Sequence, residues 1–187
     1  MKRIVEDKTL LDKFATDFVS ILEKYAKYII VSGFVAIAHG RSRGTEDIDI
    51  IIERISRQKF ILLHNALVKN KFECLQSKKP EVIYDDYLAK NISVRYIKKG
   101  TFVPEIELKF AKDRLDEYQL KTRKKLPLTN LNVYFSSIEM NVAFKEELLK
   151  SEKDIEDAKH LRIIYSDALD NREINRIKNE IKRLRLK

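Results

Sequence analysis

The sequence predicts an α+β domain with a mixed β-sheet, flanking helices and a helical C-terminal segment. Apolar residues follow helical spacing near the start, form short or alternating runs in the middle, and return to helical spacing from Ser137. The chain has 187 residues, of which 44% are hydrophobic, enough for one core. We expect residues 1–136 to form a core that includes an N-terminal helix. We expect residues 137–187 to form a helical region packed on that core.

The first half is predicted to alternate helices and strands. The Ser32-Gly33 pair interrupts the run YIIV, and Gly40 ends the short helix that follows. The expected elements are a helix at 7–26, a strand at 28–31, a short helix at 34–39, a strand at 47–53 and a helix at 56–69.

The second half is predicted to begin with a helix that Pro80 opens. ISVRYIKK and FVPEIELKF alternate apolar and polar residues around Gly100, which predicts a pair of strands. KKLPLTN and LNVYFSS predict a second pair, closed by Thr129-Asn130. The remaining expected elements are helices at 137–150, 152–165 and 171–186.

Composition narrows the class of protein. The net charge of +9 favours phosphate-rich partners, although solvating surface lysine explains it equally well. One cysteine excludes an internal disulfide and fits a reducing cytoplasm, and three scattered histidines exclude a Cys/His zinc cluster. The sequence lacks an apolar run long enough to span a bilayer and a secretory signal, so we expect a cytoplasmic protein without a membrane partner.

Asp47 and Asp49 stand in an otherwise apolar strand and point to the same face. Two adjacent carboxylates repel each other, and a divalent cation bound through oxygen relieves that repulsion. Glu107, or Glu105 two residues earlier, is a candidate third ligand from the FVPEIELKF strand. Upstream, a strand, Ser32-Gly33 and a short helix offer backbone N–H groups to a phosphate. The alternative is an edge strand whose aspartates simply meet solvent.

These motifs resemble the nucleotidyltransferase fold of the DNA polymerase β superfamily, in which a glycine pair precedes Asp-x-Asp on the next strand. VSGFVAIAHGRSRGTEDIDI is similar, more narrowly, to minimal nucleotidyltransferases related to AbiEii-type toxins of type IV toxin–antitoxin systems. FKEELLKSEKDIEDAKHL is similar to the later lysine and aspartate motif of that family. This chain has Ser32 where the first glycine is expected and a glutamate at the third acidic position.

The resemblance implies a role for each matching residue. Asp47, Asp49 and Glu107 would be catalytic and bind Mg²⁺ or Mn²⁺, with Glu105 in competition. The nucleoside triphosphate would contact Ser32, Gly33, Arg43, Thr45 and Lys145, although Arg43 could instead pair with Asp47 and Thr45 could fix a turn. Asp154 and Asp157 would support Lys145.

The resemblance implies an enzyme that transfers a nucleoside monophosphate from a nucleoside triphosphate to a hydroxyl of tRNA or of a protein, with a cognate antitoxin as a further partner. The alternative is a catalytically decayed binding module, antitoxin-like or RNA-binding. The C-terminal stretch 171–187 has one apolar and one basic face. We expect the basic face to contact a polyanion or only solvent.

Overall fold

The computed structural model describes residues 9–42 and 44–186. Within them the helices are α1 (Leu10–Leu22), α2 (Gly33–Ala38), α3 (Arg57–Lys69), α4 (Pro80–Val82), α5 (Arg114–Lys121), α6 (Ile138–Phe144), α7 (Glu152–Ile164) and α8 (Asn171–Arg185). The strands are β1 (Tyr28–Val31), β2 (Asp47–Ile52), β3 (Phe72–Cys74), β4 (Val94–Lys98) and β5 (Glu105–Phe110). A π turn and a 3₁₀ turn extend α4 to Lys90, and a π turn extends α6 to Leu149.

The five strands form one mixed sheet in the order β1-β2-β5-β4-β3. β2 and β5 are parallel, and the other neighbouring pairs are antiparallel. The predicted α+β class with a mixed sheet and helices at the C-terminal end is therefore confirmed.

Apolar side chains pack on both faces of the sheet, and alternation along each strand decides which residues face which cluster. Ile48 and Ile50 of β2, with Ile106 and Leu108 of β5, are fully buried in the main core. Ile51 lies on the opposite face, in a smaller apolar cluster with residues from β1 and α5. Apolar packing on both faces thus fixes the register of β2, whereas β5 turns Glu105, Glu107 and Lys109 to the second face.

The C-terminal helices pack against one another and against the core. α6 contacts both α7 and α8, and α7 contacts α2. Ile174, Ile177 and Ile181 of α8 are buried at helical spacing. The division of the chain at residue 136 remains a prediction. In the part of the chain that the structure describes, no helix combines the length and the apolar composition that crossing a membrane requires.

The predicted strand pair KKLPLTN and LNVYFSS is wrong. Pro127–Thr129 is a 3₁₀ turn, and the strand pairing between the two segments is limited to an isolated bridge between Lys124 and Phe135. Pro127 has no N–H to donate to a strand ladder, which prevents a regular hairpin here. Phe135 instead also forms a parallel bridge with Ile30 of β1.

Candidate active site

The β2–β5 register places the candidate carboxylates beside one another. Asp47 lies opposite Glu105, and Asp49 lies opposite Glu107. Because neighbouring residues of a strand alternate, the side chains of both pairs project from the face opposite to Ile48 and Ile106. Two adjacent parallel strands therefore present four acidic side chains on one face.

A cavity of about 430 Å³ opens beside Asp49 and Glu107. Ser32 and Lys109 line it from the sheet side, and Lys145 lines it from the segment that extends α6. Its further walls come from α5, α6 and α8 and include Asp116, Gln119, Met140, Asn141, Phe144 and Arg185. Acidic, cationic and apolar groups thus surround a space of the size that ligand sites usually have.

The environment of Asp49 controls its charge. Burial raises the pKa of the Asp49 carboxyl above its ordinary value, and the neighbouring Lys109 cation opposes that rise. The charge of Glu107 raises this pKa further, whereas a hydrogen bond with the Ser32 side chain lowers it. The two strands thus bring Asp49, Glu107 and Lys109 close enough to influence one another electrostatically.

Asp47 and Glu105 are engaged differently from Asp49 and Glu107. Asp47 is exposed, and its Oδ1 accepts a hydrogen bond of 2.8 Å from the Thr45 hydroxyl. Glu105 forms an ion pair of 3.4 Å with Arg95 of β4. This pairing favours Glu107 over Glu105 as the carboxylate that acts together with Asp49.

A hard divalent cation needs several oxygen ligands gathered around one point. Within the described residues, no three His, Cys, Asp or Glu side chains are grouped closely enough to hold a metal ion. The backbone nevertheless puts Asp47, Asp49 and Glu107 on adjacent positions of one face, and all three offer oxygen. Their donor type suits Mg²⁺ or Mn²⁺, and a bound cation would relieve the repulsion among the three carboxylates.

Ser32, rather than Gly33, makes the tight turn between β1 and α2. Its φ of 65° and ψ of −137° lie in a region that glycine enters freely and other residues enter at a cost of about 1–3 kcal/mol. Gly33 is instead the buried first residue of α2. The serine therefore takes the backbone shape of the glycine that the resemblance implies at this position, while its side chain contacts Asp49.

Lys145 is held inside an ionic network. Its side chain is 1% exposed, and Nζ lies 2.7 Å from Asp157 Oδ2 and 3.2 Å from Asp154 Oδ1. Arg41 also pairs with the fully buried Asp157 and donates a 3.0 Å hydrogen bond to the Lys153 carbonyl. Lys145 is therefore not a solvated surface lysine. The predicted association of Asp154 and Asp157 with Lys145 is observed.

Sequence reasoning missed several residues of the cavity. Lys109 lies on the same face as Glu107 by strand alternation, a signal that the sequence itself contains. Arg41 pairs with Asp157 outside the cavity lining, and no local pattern marks it. Asp116 and Gln119 belong to α5, an element that the sequence did not predict. Arg185 Nη2 donates to Asp116 Oδ1 at 2.7 Å, and Ser136 Oγ donates to Gln119 Oε1 at 2.8 Å. Arg43, expected to meet phosphate or Asp47, lies outside the described residues.

Comparison with known proteins supports the fold. No protein-family model and no curated protein matches the chain. The crystal structure of an antigenic nucleotidyltransferase-like protein from Paracoccidioides brasiliensis matches with a TM-score of 0.51 and 17% identity, over 94% of this chain and 88% of that one. The solution structure of the antibiotic-resistance factor ANT(2'')-Ia matches with a TM-score of 0.53 and 12% identity, over 92% of this chain and 91% of that one.

The chain therefore has a nucleotidyltransferase-like fold. At these identities the likeness concerns the fold and does not extend to substrate or activity.

Proposed function

We propose that the protein is a Mg²⁺-dependent nucleotidyltransferase that uses a nucleoside triphosphate and releases pyrophosphate. The observation that carries this proposal is the parallel register of β2 and β5, which faces Asp49 and Glu107 together towards a cavity with cationic walls. The match to nucleotidyltransferase-like structures supports it.

Asp47, Asp49 and Glu107 would hold the metal ion, which supplies charge neutralisation for the triphosphate. An acceptor hydroxyl forms a bond to the α-phosphorus, the bond between the α-phosphorus and the bridging oxygen breaks, and pyrophosphate leaves. Glu107 would accept the proton of the attacking hydroxyl. Lys109 lies on the same face and offers a cation to the phosphate oxygens.

Lys145 contributes mainly by position. Because its ammonium is bound by Asp154 and Asp157, it holds the α6 wall of the cavity against α7. In the proposal, Ser32, Gly33 and Thr45 shape the turn and the edge that the triphosphate approaches.

The biological setting is proposed from the sequence resemblance alone. An AbiEii-type toxin would act in the cytoplasm, modify tRNA or a protein, and be opposed by a cognate antitoxin. The residues of the cavity favour neither a particular base nor a particular acceptor.

Labelled nucleotide transfer tests the proposal. Each α-labelled nucleoside triphosphate is incubated with Mg²⁺, total tRNA and the protein, in parallel with Asp49→Asn. Asp86→Asn is the matched control, because Asp86 is exposed and pairs only with Lys90 among the described residues. We expect label transfer by the native protein and the control and none by Asp49→Asn. Equal transfer by Asp49→Asn would contradict the proposal.

One observation favours the second candidate, a binding module without catalysis: the described carboxylates do not form a preassembled metal group. That candidate predicts no Mg²⁺-dependent binding of nucleoside triphosphate in a calorimetric titration. Nucleotidyl transfer requires such binding, so the titration separates the two functions.

A further inference from the structure

The basic face of α8, the sequence-based candidate for a polyanion contact, is largely neutralised within the protein. Its cations pair with acidic residues of α8 itself and of neighbouring segments. These pairs are Arg176–Glu173 at 2.7 Å, Lys178–Glu146 at 2.7 Å, Arg183–Glu180 at 2.6 Å and Arg185–Asp116 at 2.7 Å. Cations already bound to carboxylates release fewer counterions to a polyanion, so α8 is a poor candidate for that role.

A second concave surface has the opposite character. A cleft of about 350 Å³ lies where β1 begins and β2 ends, away from the Ser32 and Asp49 ends of those strands. We name it the lysine cleft and define it by Lys24, Lys27, Lys59, Arg123 and Tyr134, which line it.

The lysines of this cleft are available to a ligand. Lys24, Lys27 and Lys59 are exposed, and none of them forms a salt bridge with any residue that the structure describes. Of the two carboxylates in the lining, Glu53 already accepts a 2.8 Å hydrogen bond from the Lys27 backbone N–H. The cleft therefore presents cations in excess of its carboxylates.

Arg123 adds a planar and fixed cation. Its guanidinium lies 4.1 Å from the centroid of the Tyr134 ring, and one nitrogen donates to the Tyr28 carbonyl at 3.4 Å. Lys125 approaches the same ring at 5.0 Å. A stacked guanidinium keeps donors free for a phosphate and offers a flat surface to a base.

The lining also distinguishes between kinds of anionic partner. Ala26 is the one aliphatic residue in it and is itself buried, so the cleft lacks the apolar side chains with which proteins enter a bilayer surface. Cations beside tyrosines at a concave surface are typical of single-stranded nucleic-acid sites.

We propose that the lysine cleft binds the sugar-phosphate backbone of single-stranded RNA. If the protein is a nucleotidyltransferase, on which this part of the inference rests, the RNA is its acceptor. Glu53 comes directly after β2 and four residues after Asp49, a distance of roughly 13 Å at strand spacing, which one RNA strand can span.

Fluorescence anisotropy with a short labelled single-stranded RNA tests the cleft. The test variant is Lys24→Ala/Lys27→Ala/Lys59→Ala. The control, Lys69→Ala/Lys78→Ala/Lys79→Ala, removes the same charge from exposed lysines outside the cleft. Each phosphate contact with a single strand contributes about 0.7 to the slope of log affinity against log salt concentration. Loss of three contacts therefore predicts a roughly 100-fold weaker affinity at about 0.1 M salt and a slope lower by about 2.

Equal weakening of the test variant and the control would overturn the proposal. Binding to vesicles containing anionic lipid, without binding to RNA, would overturn it as well. Mg²⁺-dependent binding of nucleoside triphosphate, measured by calorimetry, is expected to be unchanged in the test variant. If the native protein binds RNA through the cleft but binds no nucleotide, the proposed enzyme fails while the RNA site stands.

Discussion

Replacing Lys145 by methionine probes the ionic network that joins α6 to α7. The substitution removes the ammonium that lies 2.7 Å from Asp157 and 3.2 Å from Asp154. Breaking one partner out of a buried pair costs about 3–5 kcal/mol, because the remaining charge stays desolvated. Arg41 still pairs with Asp157, so we expect the lower end of this range. For a chain of this size, that predicts a Tm lower by roughly 6–12 °C.

Urea and thermal denaturation, followed by circular dichroism, give the free energy of unfolding. The matched control is Lys159→Met, which removes an exposed lysine paired with the exposed Glu156 on the same helix and should change stability by less than about 0.5 kcal/mol. Adding Asp157→Asn to Lys145→Met should cost less than the sum of the two single substitutions, because the residues interact directly. A Lys145→Met protein as stable as its control would refute the network.

Two predictions concern pH. Arg162 and Lys178 hold the pKa of the Glu146 carboxyl below its ordinary value. The ionised carboxylate therefore stabilises the folded protein above about pH 4.5, and this stabilisation is lost as the pH falls through the pKa of the folded state. The unfolding free energies of native protein and Glu146→Gln should therefore converge on acidification, and a constant difference would contradict the ion pairs. Burial raises the pKa of Tyr28 to about 12, so unfolded chains ionise first and stability should fall between about pH 10 and 12. Tyr28→Phe should flatten that fall in alkaline denaturation, and an unchanged slope would contradict the burial.

The strands of the site were predictable because their pattern is local. Alternation in DIDIII and EIELKF determines which residues face the core, so the shared face of Asp49 and Glu107 follows from the sequence. Their parallel register depends instead on packing between strands more than fifty positions apart, which a single sequence does not reveal.

The other misses have physical causes. α5 has few apolar residues, and its helical start depends on Asp113, whose side chain accepts from the Leu115 and Asp116 N–H groups. β3 has three residues, too short for alternation to be recognised. The sequence does not predict the burial of Lys145, because a lysine on a helix is usually solvated. Its carboxylate partners become apparent only from the tertiary contact with α7.

Calorimetric titration of nucleoside triphosphates in the presence of Mg²⁺ tests the central claim most directly. The account predicts binding by the native protein, no binding by Asp49→Asn or Glu107→Gln, and near-native binding by Glu105→Gln, whose carboxylate pairs with Arg95. The account would be contradicted if Glu105→Gln lost binding while Glu107→Gln retained it. It would also be contradicted if the native protein bound the nucleotide equally well without Mg²⁺.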